Sequence, residues 1–289
     1  MKSSLVCAAA LLALAAAALP AEAQEPAPAD PLQELRRADG SRHVGRLVEE
    51  RGDTLVFETI DGRRLEERRR PGVRLRPARG RVVNRTFWYE DRGGNRLFFG
   101  PTARTVRQGT GYAGSFWVLP SVGYGVTDDF TLAAGWPSVI APKLRLVDQP
   151  GVQLAAGGFT FRFPRPGDSG CDSACGGLSP VVWHGVAYGV ATLGGEDAAV
   201  HAGAGYYWGY HENETPVMLG GELRLGRLVK LISENWIFPG EGGAASAGLR
   251  RVGDLWTLDF GYTALFGVDD RPVRFLPVLS FSYAFGAGT

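Results

Sequence analysis

The chain has 289 residues, a formal net charge of +1, 41 glycines, 11% aromatic residues and 2 methionines. The length accommodates one large domain or two modest ones, and so balanced a charge excludes a polybasic nucleic-acid binder or membrane clamp. Abundant glycine beside Tyr, Trp and Phe suits β hairpins with tight turns better than packed helices.

The first predicted element is a processing signal over residues 1–23. Lys2 supplies a positive start and Leu5 to Leu19 an apolar run. Pro20 breaks that run, and Ala21-Glu22-Ala23 has the small-x-small form cut by a signal peptidase, here before Gln24. The run is shorter than the roughly 20 apolar residues of a spanning helix. Cys7 leaves with the signal, and the mature chain is expected in an oxidising compartment.

Residues 24–34, with Pro26, Pro28 and Pro31, read as a flexible linker. Residues 35–90 read as a small periplasmic β domain. Asp39-Gly40 and Asp61-Gly62 mark hairpin turns. Val44 to Glu49, Thr54 to Ile60 and Val73 to Arg76 are three of five expected short strands, which suggest an SH3-like barrel. The Arg68-Arg69-Arg70 cluster is read as solvated surface, neutralised by Glu66 and Glu67, over the alternative of a phosphate site.

Composition changes near residue 95. Residues 24–94 hold 16 Arg, no Lys and 13 Asp or Glu, whereas residues 95–289 hold 14 Lys or Arg and 16 Asp or Glu in a stretch almost three times as long. Two different solvents are implied. Residues 95–289 alternate with a period of two, as an antiparallel up-and-down transmembrane barrel of about twelve strands requires. Ala198, Val200, Ala202, Ala204, Tyr206, Trp208 and Tyr210 share one face of the clearest strand. Trp256 to Phe266 and Phe275 to Phe285 repeat the pattern. The aromatic girdle is accordingly assigned to Tyr206, Trp208, Tyr210, Trp256, Phe281, Tyr283 and Phe285.

Tight turns at Thr127 to Asp129, Asp148 to Gly151, Gly194 to Asp197, Leu225 to Arg227 and Gly253-Asp254 are expected to alternate with longer connections. These are Arg107 to Gly114, Ser138 to Pro142, Pro164 to Ser179, Glu212 to Pro216, Pro239 to Gly243 and Gly267 to Pro272. An even strand number puts both chain ends on the periplasmic side. In the longest loop, Cys171 and Cys175 are expected to form a short disulfide. Zinc is the alternative, for which two thiolates make half a structural site.

The run Asn95-Arg96-Leu97-Phe98-Phe99-Gly100-Pro101-Thr102, the stretch Val122 to Phe130 and Ser233-Glu234-Asn235-Trp236 together resemble a group of bacterial outer-membrane β-barrel proteins. The resemblance extends over most of residues 35–285 and includes a small N-terminal SH3-like module. It implies fold and compartment but no activity. Many such barrels end on an aromatic residue read by the assembly machinery, whereas here Phe285 is followed by Gly286-Ala287-Gly288-Thr289.

No nucleophile elbow, phosphate-binding loop, zinc helix or dinucleotide fingerprint is present. The inner face is expected to carry Arg145, Arg162, Glu222, Arg224, Lys230, Glu234, Arg250, Asp259 and Arg274. These charges either line a path for small polar solutes or pair and brace the barrel. The resulting expectation is a non-enzymatic outer-membrane barrel, a structural or adhesion platform or a narrow channel, without cofactor or metal. Its partners are outer-membrane lipid and the assembly machinery, with a further periplasmic partner for the small domain and no nucleic acid. Two alternatives stand beside it. One is a lipid-modifying enzyme using His201 with Asp259 or Ser246, and the other is a soluble periplasmic β-rich binding protein.

Overall fold

The computed structural model describes residues 32–136, 138–164, 181–208, 215–267 and 273–286. Every regular element among them is a strand. The chain opens with β1 (Gln33–Arg36), β2 (Arg42–Arg51), β3 (Thr54–Thr59), β4 (Arg64–Arg68) and β5 (Arg74–Pro77). These pair antiparallel in the order β4-β3-β2-β1-β5. Turn chemistry sets the hairpins. Gly40 and Gly62 adopt φ of +84° and +82°, and the Ser41 amide donates to the Asp39 carboxylate at 2.8 Å. Leu35, Leu55 and Phe57 form the core of this sheet, with Leu47, Val73 and Leu75 packed on them. In the arginine cluster, Arg69 pairs with Glu50 and Arg70 with the buried Glu67.

A two-stranded ribbon follows, β6 (Gly80–Val83) and β7 (Thr86–Tyr89). Its turn residues Asn84 and Arg85 both have positive φ, which closes a two-residue hairpin.

Twelve strands then form one closed antiparallel barrel: β8 (Thr110–Phe116), β9 (Leu119–Gly125), β10 (Phe130–Gly135), β11 (Val139–Gln149), β12 (Val152–Pro164), β13 (Val181–Gly194), β14 (Ala198–Trp208), β15 (Val217–Gly226), β16 (Val229–Phe238), β17 (Gly242–Val252), β18 (Trp256–Phe266) and β19 (Arg274–Gly286). The last strand closes on the first, with Ser280 opposite Phe116 and Phe285 opposite Gly111. Closure leaves no strand edge with unpaired backbone groups.

Alternation divides the wall into two chemically distinct faces. On β18, Leu258, Phe260 and Tyr262 point outward and are exposed, whereas Thr257 and Asp259 point inward and are buried. Phe275, Leu279, Phe281 and Tyr283 continue the outward set on β19, against buried Val278, Ser280 and Ser282. Large rings lie across glycines of the paired strand. The Trp208 ring occupies the space a Gly185 side chain would need, and Tyr112 does the same over Gly123.

The connections differ from the expected alternation. Most of Arg107 to Gly114 and of Ser138 to Pro142 is strand, in β8 and at the start of β11. The glycines there serve close packing rather than a loop: a side chain on Gly111 would meet the Phe285 ring, and one on Gly114 the backbone of β19. The turns of that end are as short as Trp117-Val118 between β8 and β9. The longest connections there span 165–180, 209–216 and 267–273.

Candidate functional site: a stoppered lumen

The first wall strand starts at Thr110, and the chain before it runs through the barrel interior. Asp91-Arg92-Gly93-Gly94 turns the chain inward. The Gly93 amide donates to the Asp91 carboxylate at 3.0 Å and the Gly94 amide to the Asp91 carbonyl at 3.1 Å. A tight hairpin follows, in which Arg96 bridges to Pro101 and the Leu97 amide donates to the Gly100 carbonyl at 2.8 Å. Leu97, Phe98 and Ala103 pack on inward-facing Ala155, Val190, Met218, Ile232 and Val278. This is the apolar core of the barrel. Burying Leu97 and Phe98 contributes about 1.5–3 kcal/mol each. Gly220 makes room for the hairpin, since a β-carbon there would overlap the Leu97 side chain.

Below the hairpin, seven ionised groups alternate in sign along one chain: Arg104, Glu222, Lys230, Asp91, Arg250, Asp259 and Arg96. Arg104 is paired with Glu222. Lys230 Nζ donates to Glu222 at 3.1 Å and to Asp91 at 2.9 Å. Arg250 lies 3.4 Å from Asp91 and donates through Nε to Asp259 at 2.6 Å. Arg96 closes the series at 3.2 Å from Asp259 and also donates to Ser280 Oγ. The wall contributes Glu222, Lys230, Arg250 and Asp259 from the consecutive strands β15 to β18, while the stopper contributes Asp91 at the middle of the series and Arg96 and Arg104 at its ends.

Register explains why the stopper is needed. Arg224, Lys230 and Arg250 are directly opposed on three neighbouring strands, an arrangement of like charges that destabilises a sheet. Asp91 places a carboxylate between the second and third of them. Burial by itself would raise the Asp91 carboxyl, but the charges of Lys230 and Arg250 and a bond from Gly93 outweigh it and hold the group below the ordinary carboxylate range.

Further contacts fix the stopper's backbone. Arg250 donates to the carbonyls of Gly93, Arg96 and Leu97 at 2.8, 3.1 and 2.7 Å. Lys143 Nζ donates to those of Asn95 and Thr102 at 2.8 and 3.1 Å. Glu234 accepts from the Phe99 and Gly100 amides, both at 2.9 Å, and Thr192 Oγ1 accepts from the Ala103 amide at 2.9 Å.

The charges read from sequence occupy different places. Glu222, Arg224, Lys230, Glu234, Arg250 and Asp259 are buried inside. Arg224 pairs with Glu196, donates to the Tyr89 carbonyl and lies 5.2 Å from the Trp88 ring centre. Arg145 faces inward at the rim, on Asp129 and Asp148. Arg274 is exposed at the opposite end. Arg162 stands opposite Trp183 in β12, and its side chain lies outside the described residues, as do Cys171, Cys175 and Tyr210. Tyr206 and Trp208 face outward near one end of the wall, and Trp256, Tyr283 and Phe285 near the other, with Phe281 one step further in. His201, Asp259 and Ser246 are not brought together. His201 is bonded to Thr192 at 2.9 Å and Ser246 to Thr263 at 2.8 Å.

Sequence reasoning missed Asp91, Arg96, Arg104 and Lys143. It also missed an inward series of rings at the wider-loop end, where Phe116, Phe99, Phe159, Phe161 and His184 follow one another at 5.6–6.1 Å between neighbouring centres. The alternation that identified outward aromatics assigns Phe159, Phe161 and His184 inward, and was the signal available. Among the described residues no group of three or more His, Cys, Asp or Glu is placed to hold a metal ion. No protein-family model and no curated protein sequence matches the chain.

Proposed function

We propose that the protein is an exported, non-enzymatic outer-membrane barrel that works as a closed structural or adhesion platform rather than as an open channel. The observation that carries this reading is the stopper: residues 91–106 run through the lumen and are held there by the buried charges of the wall. A path for solutes along the axis meets Leu97, Phe98 and the seven-group charge chain. The exposed apolar belt supports the membrane setting, because monomeric soluble proteins rarely expose contiguous apolar patches beyond a few hundred Å². Residues 1–23 are the export signal in this reading. The small sheet, proposed as an SH3-like module, remains on the periplasmic side with the short turns and both barrel termini.

Planar-bilayer recording tests the closed lumen. The full chain is expected to insert without conductance steps, and Gly220→Val, which drives a side chain into the Leu97 seat, is expected to produce them. Stable wild-type steps that change on Arg224→Ala would contradict the platform reading and favour a narrow channel.

A further inference from the structure

One face of the small sheet carries more positive charge than its surroundings neutralise. Arg36 on β1 stands directly opposite Arg42 on β2 and Arg74 on β5, so three guanidinium groups lie side by side across adjacent strands. Such a row is unfavourable without an anion. Arg42 and Arg76 share Glu34 and Asp254. Arg36 and Arg74 have no carboxylate within 4.0 Å among the described residues.

This face looks onto the short-turn rim of the barrel. A hollow of about 200 Å³ between them is lined by Arg36, Arg42, Arg76, Asp254, Trp256 and Tyr283. A second, of about 230 Å³, shares Arg36 and reaches Arg74. Trp256 and Tyr283 are cross-strand partners on the outward face, the position at which amphipathic rings mark a membrane interface. Arg251 lies over Trp256, 5.4 Å from the ring centre. Among the described side chains of the barrel strands it is the one charged group on the outward face. Arg36, Arg42 and Arg76 thus line one hollow with Asp254 at the edge of the apolar belt, with Arg251 beside it on the Trp256 ring.

We infer that this hollow binds the phosphate of an anionic phospholipid head group, with the lipid's acyl chains lying along the belt below Trp256. Arg36 and Arg251 supply paired donors to the phosphate oxygens, in the geometry guanidinium groups favour, and Trp256 covers the glycerol region. The inference rests on the membrane reading above. It adds that the small sheet helps to grip the leaflet and is not merely tethered beneath it.

The test uses the full chain refolded in detergent, with native mass spectrometry of retained lipid. Phosphatidylglycerol and phosphatidylcholine are titrated separately, and the former again with millimolar inorganic phosphate. Phosphatidylglycerol is expected to be retained in preference to phosphatidylcholine and to resist free phosphate. Each arginine near an anionic head group is worth about five-fold in affinity, so R36Q/R251Q is expected to weaken retention roughly 25-fold, and R36K/R251K, which keeps the charges but loses the paired donors, to weaken it by less. Equal retention of the two lipids, an unaffected Gln variant, or displacement by phosphate alone overturns the inference. Heat-modifiable electrophoretic mobility of every variant reports barrel assembly. Assembled barrels without lipid preference overturn this site alone, whereas a chain that enters no bilayer overturns the membrane reading and the site together.

Discussion

Asp91 is the residue on which the interior depends most. It meets Lys230 and Arg250 while all three are completely buried. Buried ion pairs add little net stability over an apolar packing, but removing one partner strands the other and costs about 3–5 kcal/mol. Asp91→Asn is therefore expected to lower the unfolding free energy of the refolded barrel, obtained by urea titration, by an amount in that range, and an unchanged value would count against the network. Acid acts in the same direction. The Asp91 carboxyl titrates below its ordinary value of 3.8, so its contribution is fully present above that pH and is lost as the pH falls further through the folded value. Asp91→Asn should remove this component of acid sensitivity. Little of this was legible in the sequence. Glu222, Lys230, Arg250 and Asp259 were identified as inward by strand alternation, but their partner Asp91 lies in a turn, where no periodicity assigns a face.

Among the elements, the segment 91–106 is the one that sequence patterning misreads. Asn95 to Thr102 has the apolar, aromatic look of a wall strand, and it follows the drop in charge density that marks the barrel. Its residues instead satisfy the lumen's inward charges and fill its apolar centre. The true strands were legible because outward and interior positions alternate strictly along them, as on β14, β18 and β19. Strands β8 and β11 were obscured by Gly111, Gly114 and Pro142, residues that ordinarily signal turns but here lie within the wall. The hairpin's seat yields a test at this scale. Gly220→Val should expose residues 91–106 to added protease while leaving the barrel's heat-modifiable mobility intact. Gly226→Ala, in open space at a turn, should do neither.

Over the whole molecule, the deciding feature is what the outward face touches. Closure of twelve antiparallel strands is what hydrocarbon demands, because backbone groups there have no water to bond. A water-facing barrel, by contrast, gains nothing from outward Leu146, Phe260, Tyr262 and Phe275, all more than half exposed. In the membrane, Phe260→Arg at the middle of β18 should cost roughly 2–4 kcal/mol, measured as a lower unfolding free energy in lipid vesicles. An effect near zero would indicate water outside. Strand number and face were legible from period-two alternation, which is local. The placement of the small sheet against Asp254 and Trp256 was not, since it depends on pairs such as Arg76 with Asp254 that are far apart in the chain. Envelope fractionation of cells producing the chain tests the membrane setting most directly. The protein is expected to be retained by carbonate-washed outer membranes and released only by detergent. Recovery in the periplasmic extract would contradict it.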